Sequence, residues 1–332
     1  MKLKIERNYK SQCNLENNQA TYRELKSARS YESQLDRFIE DHNLTVTDRK
    51  KAIDILKHVN YYRLSAYGIG LKKPDNEEEY IDGISLNHIY RLYYFDSSLR
   101  NHLIHLIEQL EIQLRTQISY HLAMNYGPEG YMDASNFSDK TNKHNRSIHE
   151  IIISNFRKEC DRQKNLPFVK HHNQEYGGHF PIWVATELFT FGNLSSLYSI
   201  LKINDKKEIA SLYDTKPEYL TSWILAMVEL RNICAHYSRL YNMPLKQKPR
   251  LYSEHRKYYS SSRLNKLFPT LIVLKRMTYS SGYWTKFENQ LKPLMKAYND
   301  VIKLSFIGFP LDWENVLKNV VASNPSTPKG RL

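Results

Sequence analysis

The sequence predicts an all-α protein, a bundle of many helices with loop insertions. Glycine and proline number only 11 and 12 in 332 residues. That is about 7% of the chain, against ~12% in an average protein. Because both residues interrupt helices, their scarcity favours long helices. Apolar residues recur at intervals of three and four along most of the chain, and strand-type alternation is nowhere strong, so no sheet is expected.

The first elements follow from this periodicity. Residues 1–29 are polar and mixed in charge, which indicates a flexible arm. Helical spacing begins near Ser33. A second apolar stripe, with Thr47 as its N-cap, is expected to run as one helix until Gly68 and Gly70 end it.

The longest periodic stretch, residues 85–126, predicts one long helix or two that are nearly continuous. A helix from about 147 to 164 follows a polar loop, and residues 165–181 are expected to form a second irregular loop. The remaining helices are predicted at 182–188, 194–202, 205–213, 217–240, 262–279, 284–303 and 313–321. We interpret residues 30–321 as a single helical domain and residues 322–332 as a flexible tail.

The net charge of the chain indicates which kinds of partner it is expected to bind. Lys and Arg number 48 and Asp and Glu 35, a net charge of +13. Such a basic chain favours a polyanion, nucleic acid first and an anionic membrane surface second. No apolar run approaches the ~18 residues of a membrane span, and the N-terminus lacks a signal-peptide core. The three cysteines have no close spacing, which excludes a disulfide framework and predicts a cytoplasmic protein.

The string most informative about chemistry is LRNICAHYSRLYN, residues 230–242, which falls on a predicted helix. On a helix Asn232 and His236 share a face, and Arg239 lies three positions further. Arg231 and His236 differ by five positions, which is ~140° of rotation and ~7.5 Å of rise. Arg231 must therefore curl around the helix to work beside His236, or act beside the histidine of a partner chain.

These residue types together suit the cleavage of RNA without a metal ion. The ribose 2′-hydroxyl is an internal nucleophile, an imidazole takes or gives a proton near pH 7, and a guanidinium neutralises the phosphorane. A structural role is the alternative, because Arg and His near the end of a helix often interact with its dipole or with a neighbouring carboxylate.

Several other strings give this motif a family context. RNICAH has the Arg-Asn-x-x-x-His form of the signature of the HEPN superfamily of helical ribonucleases. Around it, the chain resembles the Abi-like (AbiD/AbiF) abortive-infection family of bacterial phage-defence proteins. The strings that carry this resemblance are, in chain order, VNYYRLSAYGIG (59–70), IEQLEIQLRTQISYHL (107–122), WVATELFTFGNLSSLY (183–198), LRNICAHYSRLYN (230–242) and IGFPLDW (307–313).

The resemblance implies a HEPN fold, an activity and an assembly. Arg231 and His236 match the catalytic pair of the family, and Asn232 matches the polar residue after the arginine. HEPN ribonucleases act as dimers that place two motifs around one cleft, so this single motif implies a homodimer. A toxic ribonuclease also implies restraint, and a protein or RNA antitoxin is an expected partner. No metal and no cofactor is expected.

Two residues are expected to support the pair. Glu187, in the string ELFTFGNLS, is a candidate for a buried acid that pairs with Arg231 or orients His236. An ordinary carboxylate on a helix surface is the alternative. Arg239 adds a further positive charge beside the motif.

The segment just after the motif is the candidate RNA-binding surface. Lys and Arg would neutralise phosphates there, while interleaved tyrosines would stack on the bases of single-stranded RNA. An ordinary solvated loop is the alternative. The residues are Lys246, Lys248, Arg250, Tyr252, Arg256 and Lys257, followed by Tyr258 and Tyr259.

Other polar groups are given structural roles. Glu111 and Arg115 are expected to form an ion pair one helical turn apart. Arg63, among apolar and aromatic residues, is interpreted as part of a buried pair in preference to a nucleic-acid contact. Two weak candidates for a metal site lack cysteine partners and an HExxH string, and they are His102 and His105 with Glu108, and His171 and His172 with His179.

Two rival functions remain open from the sequence. A non-catalytic RNA-binding module would use Arg231 and His236 only to hold phosphate. A toxin modified by nucleotidyl transfer would be regulated by a partner enzyme. No P-loop and no GxGxxG string is present, so nucleotide hydrolysis and dinucleotide binding have no support.

Overall fold

The computed structural model describes residues 25–256, 264–278 and 282–320. In these ranges the regular structure consists of α-helices and short 3-10 helices, with a few isolated β-bridges and no sheet. The predicted all-α class is confirmed. Residues 1–24 of the predicted arm, and the whole predicted tail 322–332, lie outside the described residues.

The helices have the following bounds in chain order. The first seven are α1 (Tyr31–Glu40), α2 (Arg49–His58), α3 (Tyr61–Tyr67), α4 (Leu86–Tyr126), α5 (Ile148–Arg162), α6 (Pro167–Glu175) and α7 (Ile182–Ala185). The next seven are α8 (Phe191–Ile200), α9 (Ile203–Ser211), α10 (Pro217–Ala235), α11 (Ser253–Arg256), α12 (Leu267–Met277), α13 (Tyr283–Ala297) and α14 (Trp313–Lys318). Short 3-10 helices span Gly130–Met132, Ala134–Asn136, Thr186–Leu188 and Leu304–Phe306.

The predicted stripe from Thr47 to Gly68 is two helices, α2 and α3. Asp48, the residue after the predicted cap, caps α2 by accepting the Lys51 amide at 2.9 Å. The Asn60 side chain then accepts the Tyr62 amide at 2.8 Å and starts α3. This cap lets the chain turn between two short apolar helices where the sequence pattern alone runs on.

Two further expectations about secondary structure were wrong. The segment 165–181, expected to be irregular, contains α6. Pro167 occupies the first turn of α6, where its missing N–H is not needed, and Val169 is buried. The helix predicted to run to residue 303 ends earlier, because α13 stops at Ala297 and a 3-10 helix follows.

Helix α4 is the centre of the bundle. It runs for 41 residues without a break, so the single-helix alternative was right. Helices α2, α3, α7, α8, α9, α10 and α13 pack against it. Buried apolar side chains from Leu35 to Val320 belong to one core cluster. No helix in the described ranges, α4 included, is both long enough and apolar enough to cross a bilayer.

Helix α10 lies between α4, α8, α9 and α12. Its core face carries the fully buried side chains of Trp223, Met227 and Leu230. This packing leaves one side of α10 exposed and places Arg231, near the C-terminal end of α10, beside Glu111 of α4.

Candidate functional site

Helix α10 ends one residue before His236. The Tyr237 amide donates to the carbonyl of Cys234 at 3.3 Å, and the Ser238 amide donates to that of Ile233 at 3.0 Å. With Tyr237 at φ 55°, these bonds form a Schellman motif in which His236 is the C-cap. The predicted helix 217–240 was therefore too long at its C-terminal end.

His236 is exposed at this helix end. Its backbone amide donates to the carbonyl of Asn232 at 3.0 Å. Within the described part of the chain, no group forms a hydrogen bond with the imidazole. The ring is therefore open to a ligand that arrives from solvent.

The guanidinium of Arg231 is held by Glu111 of α4. Nε donates to Oε2 at 3.2 Å and Nη2 donates to Oε1 at 3.4 Å. Nη1 donates to Oδ1 of Asn232 at 3.1 Å, so the side chain curls around α10 toward the side that bears His236. Arg231 is 27% exposed, while Glu111 is 12% exposed. The guanidinium of Arg231 is thus held by Glu111 and Asn232, while part of it remains accessible to solvent.

Glu111 holds a second arginine as well. Nη2 of Arg115 donates to Oε1 of Glu111 at 2.5 Å, which confirms the predicted ion pair. Arg115 also donates to the backbone carbonyl of Thr186. One carboxylate therefore serves two guanidinium groups, and the cluster keeps an excess of positive charge beside Arg231.

The expectation of a buried acid at Glu187 was wrong. Glu187 is exposed, and the carboxylate that pairs with Arg231 belongs to Glu111. From the sequence Glu111 was given only a structural role, because Arg115 lies one turn away and Arg231 lies 120 residues away. The only local signal was an acidic residue in a string already linked to the family.

The segment after His236 is anchored by Asp96, a fully buried residue of α4. Its carboxylate accepts the amides of Leu240 at 3.1 Å and Tyr241 at 2.7 Å. It also accepts the Tyr67 hydroxyl at 2.6 Å and forms an ion pair with Arg100. Four donors on one buried carboxylate fix the chain just beyond the end of α10.

Helix α3 and Ile69, two residues beyond its C-terminus, contact the same segment. Nη1 of Arg63 donates to the carbonyl of Tyr237 at 2.8 Å, although the two residues are 174 positions apart. Nδ2 of Asn242 donates to the carbonyl of Ile69 at 2.9 Å. The predicted buried pair at Arg63 was wrong, since this residue is exposed and lies at the turn that bears His236.

Arg239 does not share a helix face with His236. Its guanidinium lies 5.9 Å from the ring centroid of Tyr67, and Nη2 contacts Sδ of Met243 at 2.9 Å. Nη1 is buried and has no hydrogen-bond partner among the described residues. Burial lowers the pKa of Arg239 from its ordinary value. Arg239 therefore packs beneath the turn and does not face His236.

The segment that carries the first three predicted RNA-binding residues runs antiparallel to α10 along its surface. Glu229 accepts the amide of Lys246 at 2.7 Å, and the Ser222 hydroxyl accepts the amide of Arg250 at 2.9 Å. The side chains of Lys246, Lys248 and Arg250, which we name the basic strip, are all exposed. The backbone of the strip is thus tied to α10, while its charges face solvent.

The basic strip lies on the His236 side of α10. Ser222, Glu229 and His236 are spaced seven residues apart, close to two full turns, so they share one side of the helix. Along the axis of α10, the two residues that hold the strip, Glu229 and Ser222, lie ~10 Å and ~21 Å before His236. A flexible strand of phosphates could therefore contact both the strip and the imidazole.

The other predicted RNA-binding residues are placed differently. The Tyr252 ring stacks on Tyr219 with centroids 4.5 Å apart, and its hydroxyl lies 2.7 Å from Oγ1 of Thr215. The Tyr252 ring therefore packs within the protein and is not available to stack on a base. Arg256 is exposed in α11. Lys257 lies outside the described residues, as do the tyrosines that follow it.

The predicted metal candidates do not gather ligands. In the ranges that the structure describes, no three His, Cys, Asp or Glu residues are grouped as a metal ion would require. His102 and His105 line a cavity of about 230 Å³ together with Lys286 of α13. His179 is bound to Glu129, with Nδ1 and Oε1 3.0 Å apart.

Comparison with known proteins supplies a family. Residues 54–242, more than half of the chain, match a family model described as Abi-like protein. The matched range begins in α2 and ends just beyond the turn that follows α10, so it contains Glu111, Arg231 and His236. No curated protein and no solved structure matches the chain.

Proposed function

The chain belongs to the Abi-like protein family, and we propose that it is an abortive-infection protein that acts as a metal-independent HEPN endoribonuclease. Its substrate is RNA in the bacterial cytoplasm. The 2′-oxygen forms a bond to the adjacent phosphorus, and the bond from phosphorus to the 5′-oxygen breaks. The products are a cyclic phosphate and a free 5′-hydroxyl. The observation that carries the proposal is the group formed by Arg231, Asn232 and the exposed His236 at one end of α10.

Each residue of this group has a distinct part in the reaction. His236 takes the proton of the 2′-hydroxyl, because an imidazole exchanges protons near pH 7. Arg231 stabilises the negative charge of the phosphorane, and its bonds to Glu111 hold the planar guanidinium before substrate binds. Asn232 orients the arginine, since its side-chain oxygen accepts from Nη1 of Arg231, and it lies one helical turn before His236.

The basic strip serves to bind the substrate. Three exposed cations, on a backbone held by α10 residues that lie ~10 and ~21 Å before His236 along the helix axis, suit the phosphates of a single strand on one side of the cleavage point. Binding of this kind positions the backbone without reading its sequence. Arg256 and Lys257 remain proposed members of the same surface, next in the chain after the strip.

The proposed active form is a homodimer. Cleavage needs one group that removes a proton from the 2′-oxygen and one that supplies a proton to the 5′-oxygen. The chain has one Arg-x4-His motif, and a second histidine at one cleft is best supplied by a second copy. The exposed end of α10 lies near the twofold axis in this proposal. A toxic activity of this kind also requires restraint, and we propose a protein or RNA antitoxin as a further partner.

The test is cleavage of RNA by the purified full-length protein in the presence of EDTA. We expect cleavage that yields a cyclic phosphate, and none on a substrate with 2′-deoxyribose at the cut site. His236→Ala removes the activity, while His144→Ala, which changes an exposed loop histidine, retains it. Cleavage that depends on added divalent metal contradicts the mechanism. Binding of RNA without cleavage favours the RNA-binding module instead.

The dimer is tested separately, by light scattering at micromolar concentration and by mixing. A monomer with full activity would overturn this part of the proposal. In co-expression, an excess of the His236→Ala chain is expected to suppress wild-type activity, because mixed dimers lack one of the two motifs. If activity depends only on the amount of wild-type chain, each chain works alone.

A further inference from the structure

Tyr237 holds a backbone conformation that favours glycine. Its φ of 55° lies in the left-handed region, at the position where a Schellman motif commonly has Gly. A bulky side chain is strained there. The ring nevertheless is 68% exposed, and in the described part of the chain it contacts no other ring and its hydroxyl makes no hydrogen bond. Packing therefore does not account for a tyrosine at this position.

A second exposed ring belongs to the neighbouring element. Tyr62 of α3 is 83% exposed, and within the described ranges it also lacks a ring partner. The next residue, Arg63, is exposed and donates to the carbonyl of Tyr237 at 2.8 Å. This contact joins α3 to the turn after α10, so Arg63 lies at that turn and Tyr62 belongs to the same short helix as Arg63.

We propose that Tyr237 and Tyr62, together with Arg63, which joins α3 to the turn after α10, form a nucleobase-stacking site next to the cleavage point. Exposed tyrosines and a guanidinium plane are the groups on which bases of single-stranded RNA stack. The bases on either side of the cleaved phosphate would occupy the two rings, while the basic strip holds the backbone further along. This inference rests on the proposed function and names its substrate as unpaired RNA.

The charge of this surface favours RNA over a protein partner. Arg63 and Arg231 lie near the C-terminal end of α10, and the basic strip follows the side of α10 that carries Ser222 and Glu229. The Glu111 carboxylate is occupied by two arginines, and the Glu229 carboxylate accepts backbone amides of the strip. A nucleic-acid strand supplies the missing negative charge and the flat rings at once.

The experiment measures affinity for a short fluorescein-labelled 2′-O-methyl RNA, which cannot be cut through its 2′-oxygen. Tyr237→Gly removes the ring and relieves the backbone strain together. We expect it to raise the thermal midpoint while it weakens binding by about 5-fold or more, the scale for loss of one stacked base. Tyr62→Ala is expected to weaken binding similarly, and Tyr237→Phe to retain it. Tyr120→Ala, which removes an equally exposed ring from α4, leaves affinity unchanged.

A second readout reports stacking itself. In a 2′-O-methyl RNA with 2-aminopurine at successive positions, wild-type protein should quench the fluorescence of bases at one or two positions, and Tyr237→Gly should restore it. Because this RNA cannot be cleaved, failure of the ribonuclease proposal would not affect the result. Unchanged affinity in Tyr237→Gly and Tyr62→Ala overturns the stacking site. A change of oligomeric state in these variants at unchanged RNA affinity also overturns it, and assigns the rings to the contact between two copies.

Discussion

The backbone amide of Tyr241 donates a 2.7 Å hydrogen bond to the carboxylate of Asp96, in the interior of the bundle. The relationship matters because Tyr241 follows the turn that bears His236, whereas Asp96 belongs to the central helix α4. A buried carboxylate with Arg100 and three further donors therefore sets where the chain goes after α10.

Loss of this carboxylate should be costly to stability. We expect Asp96→Asn to lower the free energy of unfolding by about 3–5 kcal/mol, because it leaves Arg100 buried without its counter-charge. Asp300→Asn breaks the ion pair between Arg91 and Asp300, in which both side chains are partly exposed, and should therefore destabilise the fold far less than Asp96→Asn does. Urea unfolding measures both, and equal losses would show that burial does not govern the Asp96 pair.

Replacement of Glu111, which holds Arg231, should lower the rate of RNA cleavage more than it lowers the stability of the fold. Glu111→Gln removes the charge that fixes the guanidinium, and a misplaced group costs about 10²-fold in rate at the upper end. Glu108→Gln, one turn earlier on α4 and exposed, should leave the rate unchanged. Cleavage rates of folded variants decide, with circular dichroism as the check of fold. Similar rates for Glu111→Gln and wild type would remove Glu111 from the site.

Substitutions of the motif residues should reduce the rate of cleavage by different amounts. His236→Ala and Arg231→Ala are each expected to lose about 10²-fold or more, the scale for an acid–base group or an oxyanion donor. Arg231→Lys should be nearly as damaging, because an ammonium does not reproduce the bonds of Arg231 to Glu111 and Asn232. Asn232→Ala should be intermediate. The measurement is a growth assay with folded His236→Ala protein. If this variant arrests growth as strongly as wild type does, His236 is not catalytic.

The basic strip should set the salt dependence of RNA binding. Each phosphate contact on single-stranded RNA contributes a slope of about −0.7 in a plot of log affinity against log salt. Replacement of Lys246, Lys248 and Arg250 by alanine should therefore flatten the slope by about 2. Lys318→Ala, in α14, is the control and should change the slope little. An unchanged slope in the triple variant would place the RNA elsewhere.

Stability should depend on pH through a buried lysine. The ammonium groups of Lys206 and Lys140 both donate to the carbonyl of Ser199, at 2.6 and 2.7 Å. Burial first, and then the charge of Lys140, lower the pKa of Lys206 to about 8 from 10.5. Because the folded pKa is the lower one, the unfolded chain binds more protons between these values, and stability rises as pH increases from about 8 to 10.5.

The replacement Lys206→Met isolates this effect. We expect the variant to be more stable than wild type at pH 7 and the difference to shrink as pH approaches 10. Lys207→Met, which changes the exposed neighbour, should give a difference that does not vary with pH. Thermal midpoints across this pH range provide the measurement. A constant difference for Lys206→Met would mean that its ammonium is not destabilised in the fold.

Sequence periodicity was sufficient for the class of fold and for the long central helix, because apolar spacing over many turns leaves little choice. It failed where one side chain decides a boundary. Asp48 and Asn60 are caps beside other polar residues, and Tyr237 ends α10 where glycine, the usual signal, is absent. The end of α10 depends in addition on tertiary contacts of the segment that follows it, with the Asp96 carboxylate and the Arg63 guanidinium.

The site was partly accessible from the sequence for the same reason. Arg231, Asn232 and His236 are close in the chain, so their string is visible as a motif. Glu111 and Arg63 reach the site across 120 and 174 residues, and no local pattern reports such contacts. Their strings were associated with the family, but only the fold brings them beside the motif.

Helix α4 carries both Asp96 and Glu111, and it therefore fixes the distance and the angle between these two carboxylates. The two carboxylates are separated by ~22 Å of continuous helix rise. Inserting or deleting a single residue between them would rotate one by ~100° relative to the other, so the chain after α10 and the guanidinium of Arg231 could not both keep their partners. The interval between Asp96 and Glu111 should therefore tolerate many exchanges of exposed side chains but no change of length.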